Sequence, residues 1–409
     1  MTVVTESADR RLIAIFMVVL IDVLGITIMF PLLPFYSEHF GASAQVVGLL
    51  VSSYAFCQLI SGPILGHWSD KIGRKPVLIV SQIGTFIGFL ILASARSLVW
   101  IFIARIIDGL TAGNISTAQA YISDVSSPQN RAKALGKIGV AFSIGFFIGP
   151  ALTAFLYHYG YQAPIYAAAF LSFMSIMAST FLLPSHVRPA GAPSAKGASA
   201  TGEEFSFANA FKYLKNPVIA VLLLEVFLFY FAFSAYMSGF ALFAERRFTF
   251  NGQPLTPKQV GYAFTYFGFL GILIQGFLMG RLVNKFGERK LGMIGFISSF
   301  VGYGLLAFIH QPLMILVTGL FTSFGGGVLR PVLISEIAGA VPPQERGRVI
   351  GVNQSLQSIA QIISPIVSTA LIGGAFIAQW AFFPAVISGV GALLVLAQAR
   401  KASRDFQVQ

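Results

Sequence analysis

Three acidic residues lie inside stretches of the chain that are otherwise apolar and about as long as a bilayer is thick. They are Asp22, Asp108 and Glu225. Holding an ionised carboxylate near the middle of a membrane costs several kcal/mol, so such residues mark substrate or proton pathways in many membrane proteins. The chemistry that this pattern predicts is the binding and release of a proton or a cationic group within the membrane.

The surroundings of these acids favour proton coupling. Asp22 lies about ten residues, or roughly 15 Å, into its apolar stretch, which is mid-membrane depth. Arg105 precedes Asp108 by three residues, so the two side chains share a helix face. An arginine beside two buried acids opposes their desolvation and can bring one of them to titrate near physiological pH. We therefore predict Asp22, Arg105, Asp108 and Glu225 as proton-coupling or substrate residues, with a structural ion pair as the alternative role.

The composition indicates that these residues belong to a membrane protein. The 409 residues are 56% hydrophobic with a mean hydropathy of +0.78, and only 10% are charged, against about 25% in soluble proteins. Apolar runs long enough to cross a bilayer must be helices, because unpaired backbone groups are not tolerated in lipid. The sequence predicts an all-α membrane protein with twelve transmembrane helices, at about 12–35, 45–68, 76–95, 98–121, 135–158, 162–183, 217–243, 258–282, 289–309, 312–338, 347–372 and 376–398.

The distribution of the positive charges indicates the topology of these spans. Of 27 Lys and Arg residues, 21 lie at the two termini or in the loops after even-numbered spans, four lie on the opposite side and two lie within spans. The positive-inside rule then places both termini in the cytoplasm of a multi-pass protein, which we expect in a bacterial inner membrane. The net charge of +12 is explained by this placement, so we expect no nucleic-acid partner.

The spans fall into two groups of six. Residues 184–216 are rich in Pro, Gly, Ala and Ser and are predicted to be a cytoplasmic linker. The linker ends in FSFANAFKYLKNP, at 205–217, which is predicted to be a short amphipathic helix on the inner membrane surface. The predicted domains are therefore an N-terminal six-helix bundle at 1–183, the linker at 184–216, and a C-terminal six-helix bundle at 217–409.

The two bundles repeat each other in sequence. GHWSDKIGRK at 66–75 recurs as GRLVNKFGERK at 280–290, and SPQNRAKALG at 127–136 recurs as PPQERGRVIG at 342–351. The offsets are 214 and 215 residues, and Gly149-Pro150 matches Ser364-Pro365 at 215. Such parallel repeats about an axis along the membrane normal are a recurring plan of secondary transporters, so the bundles are expected to be pseudo-symmetric.

The first of these loops identifies a family resemblance. Residues 66–75 fit the pattern G-x-x-x-D-[RK]-x-G-R-[RK], so the chain resembles the major facilitator superfamily, and its fold is expected to be the major facilitator fold. The second copy has Asn284 in place of Asp70, which suggests a weaker or altered role. The resemblance implies a cytoplasmic gate, and its predicted residues are Gly66, Asp70, Gly73, Arg74, Asp124, Arg131, Gly280, Gly287 and Arg289.

The spans of the first bundle narrow the resemblance. Asp22-Val-Leu-Gly25, Arg105-Ile-Ile-Asp108-Gly109 and Gly145-Phe-Phe-Ile-Gly149-Pro150 together are similar to the twelve-helix drug:proton antiporters, the tetracycline-efflux-like group in particular. Gly145, Gly149 and Pro150 fit the helix motif G-x-x-x-G-P-x-x-G-G. The last two glycines of that motif are Thr153 and Ala154 here, which weakens the antiporter inference without removing it.

Polar side chains within the spans are the predicted cavity lining, because polar atoms inside a helix bundle need partners. They are Gln58, Asn114, Gln119, Tyr230, Tyr236, Tyr262, Tyr266 and Gln275. No histidine spacing suggests a metal site. The pattern G-x-x-x-x-G-K-[ST] is absent, so ATP is not the expected energy source, and no cofactor or enzymatic activity is expected. The one cysteine, Cys57, is expected to be a small packed residue.

The function that these features favour is secondary active transport. The leading hypothesis is proton-coupled export of a lipophilic or amphipathic small molecule by alternating access. The alternative is a proton-coupled symporter or a facilitator that takes up a metabolite or peptide, and a receptor or lipid-binding protein is a third class. The expected partners are a small-molecule substrate, protons and the lipid bilayer, and the protein is expected to be a monomer.

Overall fold

The computed structural model describes residues 2–125, 131–183, 213, 215–342, 345–374 and 376–407. Most of the predicted linker at 184–216, and with it most of the predicted amphipathic helix at 205–217, lies outside the described residues. The chain divides into two compact units. Unit 1 is Met1–Glu204 with Thr256–Gly268, and unit 2 is Phe205–Leu255 with Phe269–Gln409. The predicted domain boundaries stay a prediction.

Unit 1 is built from the first seven α-helices and the first part of a later one. Within them, Ser43 caps the second helix by accepting a hydrogen bond from the Val46 backbone N–H. A short 3₁₀ turn, Tyr157–Tyr159, follows the sixth helix. The bounds are α1 Thr2–His39, α2 Ala44–Ile72, α3 Arg74–Ala93, α4 Leu98–Leu110, α5 Asn114–Val125, α6 Arg131–Leu156 and α7 Gln162–Leu182.

The later helices belong to unit 2, except for Thr256–Gly268. Asn216 caps the first of them from the position before Pro217, whose fixed φ suits the first turn of a helix. The bounds are α8 Pro217–Arg247, α9 Pro257–Leu273, a π-helical turn Ile274–Leu278, α10 Met279–Phe286, α11 Glu288–Leu306, a 3₁₀ turn Pro312–Met314, α12 Ile315–Gly339, α13 Arg346–Gly373 and α14 Ile377–Gln407.

A small β-hairpin follows α8 and was not predicted. Strands β1 (Thr249–Phe250) and β2 (Gln253–Pro254) are antiparallel. Asn251 and Gly252 form the two-residue turn between them, with φ of 53° and 76°. Positive φ at both central residues is the requirement of the tight hairpin turn, and Asn-Gly is the pair that meets it best.

The prediction of an all-α protein with twelve spans is confirmed. Eleven stretches of the described chain are helices long and apolar enough to cross a membrane. The predicted span at 289–309 lies on α11, which is a 19-residue helix with Glu288, Arg289 and Lys290 in its first turn. α11 is not among those eleven stretches, because these charges limit its uncharged part to Leu291–Leu306.

Two spans are less regular than predicted. The span predicted at 98–121 is divided into α4 and α5, because the Gly113 N–H donates to the Thr111 carbonyl at 2.7 Å and closes a tight turn. Gly113 packs so closely on Leu65 that an added Cβ would lie 2.8 Å from the Leu65 Cδ1 atom. The span predicted at 258–282 continues through the π-helical turn into α10.

Each unit has its own apolar core. In unit 1, one core cluster is centred on α1, α3 and α7 and includes Leu32, Leu50 and Ile165. In unit 2, one core cluster includes Leu223 of α8 and Phe296 of α11. The buried carboxylates must therefore be accommodated between tightly packed apolar side chains.

Candidate functional site

The position of Asp22 is fixed by the close approach of α1 and α6. A Cβ added to Gly145 would lie 2.4 Å from the Val23 Cγ1 atom, and one added to Gly149 would lie 2.0 Å from the Thr27 Oγ1 atom. The predicted helix motif of α6 therefore lies directly on α1, where only glycine allows the two backbones to come this close. Asp22, one residue before Val23, is held at a fixed depth and is 7% exposed.

The motif residue that departs from the family pattern makes a contact of its own. The Thr153 hydroxyl donates to the Ile28 carbonyl of α1 at 2.8 Å. The Thr27 hydroxyl of α1 donates to the Gly145 carbonyl of α6, also at 2.8 Å. The loss of a glycine at 153 is thus accompanied by an added hydrogen bond between the same two helices.

Asp22 is hydrogen-bonded by a serine that the sequence analysis did not single out. The Ser175 hydroxyl of α7 donates to Asp22 Oδ1 at 3.0 Å. Gln82 Nε2 of α3 donates to the same Ser175 oxygen at 2.8 Å. Asp22 Oδ2 and Gln82 Oε1 are buried and have no hydrogen-bond partner among the described residues. Three helices therefore meet at one polar cluster inside an apolar unit.

The predicted pair on α4 is formed. Arg105 Nη1 donates to Asp108 Oδ2 at 2.9 Å, and the Arg105 guanidinium lies over the Tyr54 ring, 4.3 Å from its centroid. Both side chains are largely buried, at 12% and 9% exposed. Gly88 of α3 gives this pair room, since a Cβ there would lie 3.2 Å from the Asp108 Cβ atom.

Arg105 forms an ion pair with Asp108, whereas the sequence analysis expected the arginine to lie beside both Asp22 and Asp108. The Asp22 and Asp108 carboxyl groups interact electrostatically, so the three residues belong to one region of unit 1. The Arg105 guanidinium donates to Asp108, whereas Asp22 accepts from a neutral hydroxyl, that of Ser175. One acid of the region is therefore neutralised by a cation, and the other is not.

Glu225 has the opposite environment. Arg289 donates from Nη1 to Glu225 Oε2 and from Nη2 to Oε1, both at 2.7 Å. This two-pronged contact is the strongest geometry that an arginine and a carboxylate can form. Arg289 also contacts Glu336 at 3.3 Å and Gln398. Glu225 is fully buried, while Arg289 is 28% exposed and lies in the first turn of α11. The arginine side chain therefore extends from the start of α11 to the buried acid. The cluster connects the ends of α8, α11, α12 and α14.

The predicted gate residues of unit 1 form an ion-pair network. Arg74 lies 2.6 Å from Asp70 and 2.9 Å from Asp124, and it also donates to the Ser69 hydroxyl at 2.6 Å. The contact with Asp70 is an ion pair that lacks hydrogen-bond alignment, because Asp70 Oδ1 accepts no hydrogen bond. The side chain of Arg131, which was predicted nearby, lies outside the described residues.

The two repeat loops share a backbone turn. Gly73 and Gly287 both have positive φ, of 99° and 72°, a conformation that L side chains rarely adopt. Each lies at the junction of two helices, α2 with α3 and α10 with α11. Gly66 is buried in the last turns of α2, and Gly280 has open space where a Cβ would stand.

The residues predicted to line a cavity are divided between the two units, and their role stays a prediction. Tyr230 lies in an apolar core cluster of unit 2, and Tyr236 stacks with Tyr303 and Trp380. Both rings therefore serve packing. Asn114 is buried, Gln58 and Tyr266 are partly exposed, and Gln119, Tyr262 and Gln275 are exposed. In the part of the chain that the structure describes, no group of three His, Cys, Asp or Glu side chains could hold a metal ion.

Twelve membrane-spanning helices, a twofold sequence repeat and carboxylates buried within the spans define a helical secondary transporter. The family model of the Major Facilitator Superfamily matches residues 15–255 and 249–406, and the chain belongs to this family. The resemblance found in the sequence, and with it the major facilitator fold, is confirmed. The chain is an integral multi-pass membrane transporter and not an enzyme.

Named relatives indicate which transporters of this family the chain resembles. The chain is 29% identical to Multidrug resistance protein 2 of Bacillus subtilis (strain 168) over 84% of each chain. It is 30% identical to the class H Tetracycline resistance protein of Pasteurella multocida over 91% of each chain. The crystal structure of the human organic anion transporter MFSD10 matches with a TM-score of 0.70 at 24% identity, covering 95% of this chain and 99% of that one; it supports the fold alone. The chain is therefore a transporter of a small molecule, related to drug-resistance proteins.

Proposed function

We propose that the protein exports a lipophilic or amphipathic small molecule in exchange for protons. The names of its relatives support drug export. The observation that carries the coupling is the environment of Asp22, a carboxyl group that is 7% exposed and is met by one neutral hydroxyl. A buried charge without a cation is costly, whereas a protonated carboxyl group is not. Asp22 would therefore take up a proton when its surroundings close and release it when they open.

Exchange follows if proton and substrate compete for the same state of Asp22. Arg105 and Asp108 would tune this competition, because Asp108 acts on Asp22 electrostatically and Arg105 neutralises Asp108. Alternating access would come from movement of the two six-helix bundles, and the loops at 66–75 and 280–290 would gate the cytoplasmic side.

Replacing the coupling carboxyl group tests the mechanism. In reconstituted vesicles with an imposed pH gradient, Asp22→Asn should abolish gradient-driven accumulation of tetracycline and of ethidium, while downhill flux of the same probes persists. The Asn amide still accepts from Ser175, so the local hydrogen bond is a built-in control. Full gradient-driven accumulation by Asp22→Asn would overturn the assignment and leave Asp108 as the next candidate.

The proposed orientation has both termini and the linker in the cytoplasm of a bacterial inner membrane, with the protein as a monomer. Gln253→Cys lies on the exposed hairpin after α8 and should react with an impermeant maleimide added from outside. Lys196→Cys lies in the linker and should react only after the membrane is opened. The native Cys57 is buried and should give little background. The reverse pattern would invert the orientation and the assignment of both gating loops.

A further inference from the structure

The polar cluster around Asp22 contains two residues, Ser175 and Gln82, that are not among the predicted coupling residues. Ser175 and Gln82 are both fully buried, and they come from helices that contribute none of the predicted coupling residues. Polar side chains are placed in such surroundings only when they are hydrogen-bonded. Their contacts run in one direction, from Gln82 Nε2 to Ser175 Oγ and from the Ser175 hydroxyl to Asp22 Oδ1.

The direction of these bonds distinguishes the two oxygens of the carboxyl group. A hydroxyl has one proton, so a serine that donates to Asp22 must accept from its other neighbour. Gln82 supplies that donor at 2.8 Å. Asp22 Oδ1 is thereby occupied by the serine, while Oδ2 is buried and accepts from no described residue.

We infer that Ser175 and Gln82 are positioning residues that orient the Asp22 carboxyl group, so that Oδ1 accepts from Ser175 and Oδ2 holds the exchangeable proton. This inference rests on the proposed proton coupling. The Gln82 amide fixes the Ser175 hydroxyl, and a donor that is itself hydrogen-bonded is a stronger donor. The chain of three residues joins α3, α7 and α1, so its alignment depends on the packing of all three helices.

The other ionisable groups around Asp22 are few. Asp108 acts on it directly, and Tyr54 of α2 interacts with both acids and with Arg105. The elements packed on α1 are α2, α5, α6 and α7. Besides Tyr54, the ionisable side chains of these helices within the spans are Cys57 on α2, Tyr121 on α5 and Tyr166 on α7, and Ile138–Leu156 of α6 has none. His67, Asp70, Lys71 and Asp124 lie in the last turns of α2 and α5. The hydroxyl of Ser175 is therefore the local contact whose removal should most change Asp22.

A second buried serine of the same helix, which makes no hydrogen bond to Asp22, provides a matched control. Ser172 lies one turn before Ser175, is 3% exposed, and donates to the backbone carbonyl of Gln82 at 3.2 Å. Ser172→Ala removes a buried hydroxyl from the same face of α7 without removing a contact to Asp22. An effect of general repacking would appear in both alanine variants, whereas an effect on the carboxyl group would appear in one.

The test measures the proton on Asp22 without requiring transport. Infrared difference spectra of the purified full chain, recorded across a pH series, contain the C=O band of protonated carboxyl groups; the part that Asp22→Asn removes belongs to Asp22. In Ser175→Ala this band should move to higher frequency, because its carbonyl no longer accepts a hydrogen bond. Its titration midpoint should rise by about one pH unit, because the ionised form loses its donor.

Ser175→Thr keeps the hydroxyl and should restore both frequency and midpoint, and Gln82→Met should shift both in the same direction by less. If Ser175→Ala does not fold, Ser175→Cys provides a weaker donor and should give an intermediate shift. An unchanged band in a folded Ser175→Ala or Ser175→Cys variant, or an equal shift in Ser172→Ala, would overturn the inference. Normal gradient-driven accumulation by Asp22→Asn would instead overturn the proposed function, and the infrared result would still stand on its own.

Discussion

Asp22 and Glu225 are both acids buried inside membrane-spanning helices, yet the protein surrounds them in opposite ways. Glu225 is clasped by two nitrogens of Arg289 at 2.7 Å. Asp22 receives one bond, from a serine. An ionised carboxylate is stable in the first environment, since its charge is matched and both oxygens are bonded. The second environment suits a carboxyl group that changes its protonation state. In the sequence both acids were candidates, with Asp22 the main one and Glu225 a second proton site, and their partners in the structure separate them.

The largest effect that would test this contrast is on stability. Arg289→Met should lower the free energy of unfolding by about 3–5 kcal/mol, because it leaves a fully buried carboxylate without a cation. Asp22→Asn should lower it by less than about 1 kcal/mol, because no charge is left unpaired. The measurement is denaturant unfolding of each purified variant in the same detergent micelles.

A second substitution checks the reason for that loss. Adding Glu225→Gln to Arg289→Met removes the uncompensated charge and should restore part of the stability. Equal losses in Arg289→Met and in the double variant would mean that the arginine stabilises unit 2 through Glu336 and Gln398 and that Glu225 contributes little.

A smaller effect is expected on transport. Glu225→Gln should cost about 1–3 kcal/mol of stability, since Arg289 keeps only part of its hydrogen bonding. Gradient-driven accumulation in the protein that folds should be retained, in contrast to Asp22→Asn under the same gradient. Loss of that accumulation with downhill flux intact would return Glu225 to the role of a second proton site.

The smallest effect on stability is expected at the ion pairs of the first repeat loop. Arg74, Asp70 and Asp124 are partly exposed, the last by 40%, so breaking their contacts should cost about 1 kcal/mol or less. Arg74→Ala and Asp70→Asn should change the transport rate with tetracycline binding retained, because they weaken the proposed gate.

His67→Gln is the matched control for that loop, since His67 is an exposed polar residue at an unspecified position of the same pattern and should leave the transport rate unchanged. Transport by Arg74→Ala and Asp70→Asn at the wild-type rate and normal abundance would reduce the loop to a signal for membrane topology.

Contacts between residues close in sequence could be predicted from the sequence alone, whereas distant contacts required the family motif or the structure. Arg105 and Asp108 are three residues apart, and helix periodicity alone brings them together. The apolar runs and basic loops were sufficient for the twelve spans, because membrane thickness sets their length. Arg74 and Asp124, 50 residues apart, could be joined only through the family motif.

The partners of the buried acids required the three-dimensional structure. Ser175 is 153 residues from Asp22, and Arg289 is 64 residues from Glu225. A signal for the first was present, because Ser172, Ser175 and Ser179 recur at helical spacing on an apolar span and are all buried. That spacing indicates a polar face of α7, but it does not say which helix lies opposite.

The turns at Gly73 and Gly287 occupy equivalent positions in the two halves of the chain. Both keep the same unusual backbone conformation, although the second copy has one extra residue, Glu288, between the glycine and the Arg-Lys pair that ends both segments. The arginine after the turn nevertheless has different partners in the two halves, since Arg74 pairs with Asp70 and Asp124 and Arg289 pairs with Glu225 and Glu336. The same backbone turn therefore presents an arginine to a partly exposed ion-pair network in one half and to a fully buried acid in the other.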